Sequence, residues 1–256
     1  MLSGQSATVW VTDHCLMTRR RWIADEVSGN RAALTGAHAR HLIRVLRARI
    51  GQEFDISTGA EVRRGRISGV HPDRVEFDLD EAIARAAQPA IAVAISIFKF
   101  DRMEWAIEKC TELGVARIAP VLAARSEAHL AAAAPKRVER WKRIVKQASE
   151  QSRRVAPPEV SAPVNLKDLL TFPAGTRIVL SEMERQQMLR DAVPQNAGSV
   201  ILAFGPEGGW KRDEIIEFTR AAWISASLGD NILRAETAII AGVAIAAAML
   251  KPGTKR

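Results

Sequence analysis

The sequence predicts an α/β protein in which a small β-rich domain precedes a larger domain with a mostly parallel sheet. Three observations carry this prediction. Apolar strand-like runs alternate with amphipathic segments from residue 90 to residue 252, a pattern typical of parallel α/β sheets. Short period-two segments separated by turns fill residues 17–85, as in a small barrel. An Ala-rich stretch, residues 81–89, ends in Gln88-Pro89 and is typical of a linker.

The first domain is marked by strands with alternating apolar and polar residues. We predict strands over residues 51–59, 61–67 and 74–79, and His71-Pro72-Asp73 forms the turn between the last two.

One helix, over residues 37–47, interrupts these strands. Its spacing places Leu42, Val45 and Leu46 on one face, which we expect to be the buried face.

The second domain alternates strands and helices along the chain. We predict strands over residues 91–98, 115–122, 177–180, 199–204 and 223–228. We predict helices over residues 103–113, 134–152, 213–222 and 235–250. In the long helix over 134–152, Val138, Trp141, Val145 and Ala148 recur every three or four residues, which indicates one packed face.

The charge of the chain points to an anionic partner. The formal net charge is +8 and the isoelectric point is near 10.1, which favours nucleic acid, although a merely basic surface is the alternative. Residues 19–66 hold eleven arginines against five acids, and residues 134–154 hold eight basic residues against two acids. Each stretch therefore has a local net charge of +6, and this clustering favours two phosphate-binding surfaces.

Several classes of protein are disfavoured. Cys15 and Cys110 are too few and too far apart for a disulfide framework or a zinc site, which indicates a reducing cytoplasm. The five histidines lack metal-ligand spacing, so no metal is expected. The most apolar run, residues 238–250, is shorter than the roughly 20 residues that cross a bilayer, so no membrane span is expected.

The first 16 residues lack helical or strand periodicity. They also lack the basic-then-apolar order of a signal peptide. We expect residues 1–16 to be a loose extension, or Met17 to be the working start.

Two glycine turns are candidate ligand loops, because each follows an apolar strand and precedes a helix. Residues 205–212 (GPEGGWKR) fail the phosphate-loop pattern, which requires Gly at 210 and Ser or Thr at 212. They fail the dinucleotide pattern as well, since Glu207 occupies its second glycine position. A nucleotide triphosphatase is therefore disfavoured, and a plain strand-to-helix turn is the alternative to a ligand loop.

The second turn leads from Gly229 into a helix start that contains Arg234, Glu236 and Thr237. Backbone N–H groups point outward at a helix N-terminus and bind anions. Glu236 in the first turn is equally expected from helix electrostatics without any function.

Five segments together carry a resemblance to a known family. They are residues 99–105 (KFDRMEW), 108–114 (EKCTELG), 147–154 (QASEQSRR), 205–209 (GPEGG) and 233–238 (LRAETA). In this set and order the chain resembles the RsmE family of 16S rRNA (uracil-N3)-methyltransferases, of the SPOUT superfamily, from Met17 to about Lys251. Where that family commonly has Gly-Pro-Arg, this chain has Gly229-Asp230-Asn231, and Ala235 stands where Thr often follows the arginine.

The resemblance implies a fold that periodicity could not reveal. Residues 17–85 would form a PUA-like RNA-binding barrel, and residues 90–252 a SPOUT α/β domain with a deep trefoil knot, a rare topology. The resemblance also implies a homodimer, S-adenosylmethionine (SAM) as methyl donor, and 16S rRNA or the small ribosomal subunit as substrate.

The resemblance also implies site residues. The donor would be enclosed by Leu180, Phe204, Gly205, Gly208, Leu228, Gly229, Ile232, Leu233 and Thr237. Arg234 would steer the anionic substrate or the donor carboxylate, and Glu207 and Glu236 are the nearest carboxylates that could accept the uracil proton. Bulk water is the alternative acceptor. The rRNA backbone would be held by Arg19, Arg20, Arg44, Arg47, Arg137, Arg140, Arg153 and Arg154.

Two rival functions stay open at this point. One is a non-catalytic RNA-binding protein that uses both basic surfaces. The other is a related knotted methyltransferase that acts on a different RNA.

Overall fold

The computed structural model describes residues 21–83 and 90–250. The chain divides between residues 83 and 84 into two compact units. Residues 1–20, with the predicted extension and with Arg19 and Arg20, lie outside the described residues, as does most of the predicted linker. The first residues assigned to that linker, 81 and 82, belong instead to the last strand of the first unit.

The described part of the first unit, residues 21–83, contains six strands and one helix. The strands are β1 (Arg21–Ile23), β2 (Glu26–Ser28), β3 (Arg31–Thr35), β4 (Glu53–Ser57), β5 (Val62–His71) and β6 (Arg74–Ala82), and the helix is α1 (Gly36–Arg44). They form one sheet in the order β1-β4-β5-β6-β3-β2, in which only β1 and β4 pair in parallel.

The sheet of the first unit closes into a barrel. β1 and β2 lie at opposite ends of the sheet order, yet only Ala24 and Asp25 join them. A flat sheet of six strands would separate its edges by about 24 Å, at roughly 4.8 Å per strand, which so short a link cannot cross. The Ala24 N–H donates to Ser57 O at 2.9 Å and the Asp25 N–H to Ala33 O at 3.0 Å, so the link bonds to β4 and to β3, the strands next to the two edges. The predicted barrel is confirmed.

The helix α1 covers the barrel core with Ala39 and Leu42, which are fully buried. The prediction that Val45 shares this buried face is wrong, because α1 ends at Arg44 and Val45 is 62% exposed. Arg47 follows with φ +53°, in the left-handed region in which helices commonly terminate.

The second unit is an α/β domain with seven strands. The strands are β7 (Ala90–Ser96), β8 (Arg117–Leu122), β9 (Glu159–Val160), β10 (Val164–Asn165), β11 (Thr176–Leu180), β12 (Ser199–Phe204) and β13 (Ile224–Ala226). The helices are α2 (Phe100–Glu112), α3 (Ala128–Ala133), α4 (Val138–Gln151), α5 (Leu166–Leu170), α6 (Leu189–Ala192), α7 (Arg212–Arg220) and α8 (Ala235–Met249). Every strand pair is parallel, in the order β10-β8-β7-β12-β11-β13 with β9 beside β8, so the predicted parallel sheet is confirmed.

The strand β12 explains why this sheet has continuous apolar runs. Leu202 and Phe204 belong to the core formed with α2, α4 and α8, whereas Ile201 and Ala203 belong to the core that includes Phe218 of α7. Because successive side chains point to opposite faces, a sheet covered on both faces needs apolar residues at every position.

The predicted helix over 134–152 is wrong at its start. Residues Ala134–Arg137 form a 3-10 turn that contains Pro135, and the α-helix begins only at Val138. The short elements β9, β10, α3, α5 and α6 were not predicted, because segments of two to six residues show no measurable period.

Among the described residues, none of the helices has both the length and the apolar character that a bilayer crossing requires. The strands β11, β12 and β13 run parallel and are neighbours in the order β12-β11-β13. Their carboxyl ends therefore meet at one edge of the sheet, where open α/β sheets place their ligand sites.

Candidate active site

A cavity of about 510 Å³ opens at the carboxyl ends of β11, β12 and β13. Its walls come from the first loop (residues 181–188), the second loop (205–211) and the third loop (227–234), which follow these strands in turn. The rest of the lining comes from the strand ends Leu180 and Phe204, from Arg102 of α2, and from Ala235 and Ala238 of α8. The volume lies within the range of roughly 300–1,000 Å³ that small-molecule and cofactor sites occupy.

The first loop is shaped by the side chain of Glu184. Its Oε1 accepts hydrogen bonds from the N–H groups of Arg185, Gln186 and Gln187 at 2.9, 2.8 and 3.2 Å. These bonds, that from Gln186 foremost, hold the pKa of the Glu184 carboxyl below its usual value. A charged side chain therefore holds the loop that carries Ser181 and Glu182 along the cavity.

The second loop is a tight backbone turn. A Cβ added at Gly205 would lie 3.2 Å from both Gly209 C and Trp210 N, so the chain folds back closely on itself. Gly209 has φ +66°, which disfavours other residues, and a Cβ there would overlap the carboxylate of Glu182.

Two side chains anchor this turn from outside. The Trp210 Nε1 donates to Leu180 O at 3.2 Å, and Trp210 is almost fully buried. The Arg125 Nη1 donates to Gly208 O at 2.7 Å and to Trp210 O at 3.3 Å. The backbone of the second loop is therefore fixed by the protein itself.

The third loop is held at its start against the first loop. The Ser227 N–H donates to Gln187 O, and the Leu189 N–H donates to Ser227 O, each at 2.9 Å. Ser227 Oγ accepts the Gly229 N–H at 3.2 Å, and Gly229 has φ +123°. This contact lies in the region where the resemblance places the trefoil knot.

Two glutamates lie close to Arg102 at the cavity. The Arg102 Nη1 lies 3.4 Å from Glu207 Oε1 and 3.8 Å from Glu236 Oε1. Glu207 lines the cavity, but Glu236 is 8% exposed and absent from the lining. The Glu236 Oε2 is buried and has no hydrogen-bond partner among the described residues.

Most of the predicted donor residues line the cavity. They are Leu180, Phe204, Gly205, Gly208, Leu228, Gly229, Ile232 and Leu233, and the predicted catalytic residues Arg234 and Glu207 join them.

Thr237 and Glu236 do not line the cavity. Thr237 is exposed on α8 and Ala238 stands in the lining instead, because one residue along a helix turns the side chain by about 100°. The expectation that Thr237 encloses the ligand is therefore wrong for this cavity.

Sequence reasoning missed part of the lining. The additional residues are Arg102, Ser181, Glu182, Pro206, Gly209, Ser227, Asn231, Ala235 and Ala238. Most of these are neighbours of predicted residues. Arg102 is different, since it lies in the segment 99–105 that carried the resemblance but received no role.

Arg44 and Arg47, predicted to bind RNA, are exposed and make no salt bridge within the described residues. Arg137 and Arg140 are partly exposed and share Glu104, at 3.6 and 2.7 Å. These four arginines keep guanidinium surface that a phosphate can reach.

The remaining two predicted RNA-binding arginines differ from each other. Arg153 is exposed, with φ +58°. Arg154 donates to Thr111 O at 2.8 Å and Ala156 O at 3.2 Å, and burial lowers the pKa of its guanidinium. Arg154 therefore ties backbone segments together, and its assignment to the RNA surface is corrected to a structural role.

No cluster of three or more His, Cys, Asp or Glu side chains with metal-site geometry occurs among the described residues. The described cysteine, Cys110, is buried, and this burial raises the pKa of its thiol to about 12.

Comparison with known proteins places this chain in a family. Residues 86–247 match the profile of a family described as RNA methyltransferase domain, and residues 34–80 match an RNA methyltransferase PUA domain. The ribosomal RNA small subunit methyltransferase E of Bacillus subtilis (strain 168) is 30% identical over 220 residues, which are 80% of this chain and 85% of that protein. The protein of the same name from Synechocystis is 32% identical over 225 residues, 85% of this chain and 73% of that protein.

A solved structure agrees with these sequence relatives. The crystal structure of a ribosomal RNA small subunit methyltransferase E from Neisseria gonorrhoeae, bound to S-adenosyl methionine, superposes with a TM-score of 0.80 at 29% identity. The superposition covers 91% of this chain and 98% of that chain. This chain is therefore a member of the RNA methyltransferase family that includes the ribosomal RNA small subunit methyltransferases E.

Proposed function

We propose that this protein transfers the methyl group of SAM to N3 of a uridine in 16S rRNA of the small ribosomal subunit. The observation that carries the proposal is the cavity at the ends of β11, β12 and β13, in a chain whose fold neighbour was crystallised with SAM. RNA methylation as such follows from the family, and N3 of uracil is the finer part of the proposal.

The cavity fits the donor. Leu180, Phe204 and Leu228 offer apolar walls for an adenine ring, and Gly205 and Gly229 let a ligand approach the backbone closely. When bound, SAM supplies an electrophilic methyl group on a positively charged sulfur.

Arg234 supplies a cation at the end of the third loop. It is the N-cap residue of α8, it is exposed, and it lines the cavity. We assign it to bind an anionic oxygen of the reactants, because a guanidinium donates hydrogen bonds and does not act as a base in proteins.

The proton on uracil N3 must leave before or during attack on the methyl group. The carboxylates that line the cavity are those of Glu182 and Glu207, and these are the side chains that we assign as candidate proton acceptors. Glu236 lies outside the lining and contacts Arg102, so we assign it a supporting role. Alignment of nitrogen, methyl carbon and sulfur by the cavity walls supplies the rest of the catalysis.

The arginines Arg44, Arg47, Arg137, Arg140 and Arg153 are proposed to contact rRNA phosphates. Their charge would release counterions from the RNA, so binding should weaken as salt rises. The PUA domain match in the first unit supports an RNA-binding role there.

A homodimer is proposed from the surface of α8. Its outward positions include Ala241, Ala244 and Ala248, and the helix contains only two polar side chains, those of the buried Glu236 and of Thr237. A helix that is apolar on all sides is normally buried, so we propose that a second copy covers this face.

The ribosomal substrate implies action in the cytoplasm.

The test uses purified protein, SAM and small ribosomal subunits that lack the modification. Nucleosides from the digested 16S rRNA are separated and identified by mass spectrometry. The proposal expects one new 3-methyluridine per 16S rRNA. A methyl group at another atom, or on another RNA only, would contradict the uracil-N3 assignment. No SAM binding by calorimetry at millimolar donor would leave a non-catalytic RNA-binding protein.

A further inference from the structure

Three of the five segments that carry the family resemblance meet at Arg102. Arg102 lies in segment 99–105, Glu207 in segment 205–209, and Glu236 in segment 233–238. The pair Arg102–Glu207 is 105 residues apart in sequence, with the Arg102 Nη1 3.4 Å from Glu207 Oε1. The same nitrogen lies 3.8 Å from Glu236 Oε1. The fold therefore brings separate segments to one cation.

Arg102 and these two glutamates join two walls of the cavity. Glu207 belongs to the second loop, and Glu236 lies in the first turn of α8, directly after the third loop. Arg102 and Glu207 themselves line the cavity. A single guanidinium on α2 thus links the loop after β12 to the helix that follows the loop after β13.

The two contacts of Arg102 differ in burial, so solvent screens them to different extents. The side chains of Arg102 and Glu207 are 34% and 33% exposed, so solvent screens their pair and it contributes little to stability. The Glu236 side chain is 11% exposed, and a buried carboxylate needs a nearby cation or hydrogen-bond donor. Arg102 is the cation recorded next to Glu236, so its removal leaves that charge without an ion-pair partner among the described residues.

We propose that Arg102 is a positioning residue of the donor site, which holds the second loop against the start of α8 and orients Glu207 on the cavity wall. The inference rests on the proposed function, because it assigns the cavity to SAM. It adds Arg102, which acts on the donor indirectly. Arg102 positions Glu207 and Glu236, and these two residues set the geometry of the loop.

The contact geometry determines which substitution at Arg102 is the most informative. Both acids approach the same nitrogen, Nη1, so a single ammonium at that place can contact both. Arg102→Lys should therefore preserve the site, whereas Arg102→Ala should not. The matched control is Arg190→Ala, which removes an exposed arginine paired with Asp191 at 3.6 Å, away from the cavity lining.

The experiment measures SAM affinity by calorimetry and methylation of small subunits under saturating RNA, on variants whose thermal unfolding matches wild type. We expect Arg102→Ala to weaken SAM binding or lower turnover by about tenfold to 100-fold, because displacement by an ångström is that costly in a site. Arg102→Lys should stay within about threefold of wild type, and Arg190→Ala should equal wild type.

A double variant tests the route through Glu207. Glu207→Gln keeps the shape of the side chain and removes its charge, so Arg102→Ala with Glu207→Gln should lose little more SAM affinity than Arg102→Ala alone. Full additivity of the two losses of SAM affinity would overturn the proposal. Wild-type affinity and turnover in Arg102→Ala would overturn it as well, as would equal losses in Arg102→Lys and Arg102→Ala. If wild type binds no SAM, the proposed function fails and this inference fails with it; if wild type binds and Arg102→Ala is unaffected, the inference alone fails.

Discussion

The second and third loops face the same cavity but are held in different ways. The second loop is fixed by Trp210, which is almost fully buried, and by the hydrogen bonds of Arg125 to Gly208 and Trp210. The third loop is bonded at its start through Ser227, but further along Ile232 is 90% exposed and Arg234 is exposed. Under the proposed function, the second loop is a preformed backbone cradle for the donor, and the third loop presents side chains to the reactants.

The largest effect on stability is expected for Trp210, which anchors the second loop. Trp210→Ala should lower the free energy of unfolding by about 3–5 kcal/mol, because it empties a core position and removes the bond to Leu180 O. Chemical denaturation measures this loss. Trp105→Ala is the control, since Trp105 is about half exposed, and it should cost less than half as much. Equal losses would mean that Trp210 does not anchor the second loop.

The third loop should respond in activity and not in stability. Arg234→Ala should lower turnover by about 100-fold, because a positioned donor to developing charge is lost, while the unfolding midpoint stays unchanged. Arg220→Ala, an exposed arginine at the end of α7, serves as the control and should retain the wild-type rate. A folded Arg234→Ala protein with wild-type turnover would remove Arg234 from the site.

A smaller effect is expected where the second loop needs a left-handed residue. Gly209→Ala should lower the free energy of unfolding by about 1–2 kcal/mol, since φ is +66° there, and should weaken SAM binding as the Cβ displaces Glu182. Gly198→Ala meets nothing within 4 Å and should leave both quantities unchanged. If both variants bind SAM like wild type, the contact between the first and second loops does not shape the donor site.

The smallest effect concerns pH and the first loop. The pKa of Glu184 is lowered in the folded protein, so its contribution to stability is present above the unfolded pKa, near 4.5, and is lost as pH falls through the folded value. Glu184→Gln should therefore be slightly less stable than wild type at pH 7, and the two should converge as the pH falls below the lowered pKa of Glu184. Thermal unfolding of both proteins between pH 3 and pH 7 measures the difference. A gap that is independent of pH would show that the charge of Glu184 does not hold the loop.

The sequence predicted the parts of the site that depend on local pattern. The run before Gly205 is apolar at every position because β12 is buried on both faces, and this is visible in one dimension. The glycines of the second loop are equally visible, because only glycine tolerates such close backbone contacts.

The shape of the first loop could not be predicted from the sequence, and the reason is physical. Apart from Met183, residues 181–187 (SEMERQQ) are polar, and they contain no glycine. Their shape comes from one carboxylate bonded to three backbone N–H groups. Such a turn has no periodic signal. Arg102 was missed because its partners lie more than 100 residues away, and Arg154 was misassigned because its backbone acceptors are brought to it only by the fold.

Methylation of uracil N3 in 16S rRNA is tested in a strain that lacks the gene. Nucleosides from its 16S rRNA are analysed by mass spectrometry beside those of the parent strain and of strains complemented with wild type or with Arg234→Ala. We expect 3-methyluridine to disappear from 16S rRNA of the deletion strain, to return with the wild-type gene, and to return poorly with Arg234→Ala. An unchanged amount of 3-methyluridine in 16S rRNA of the deletion strain would contradict the proposed function.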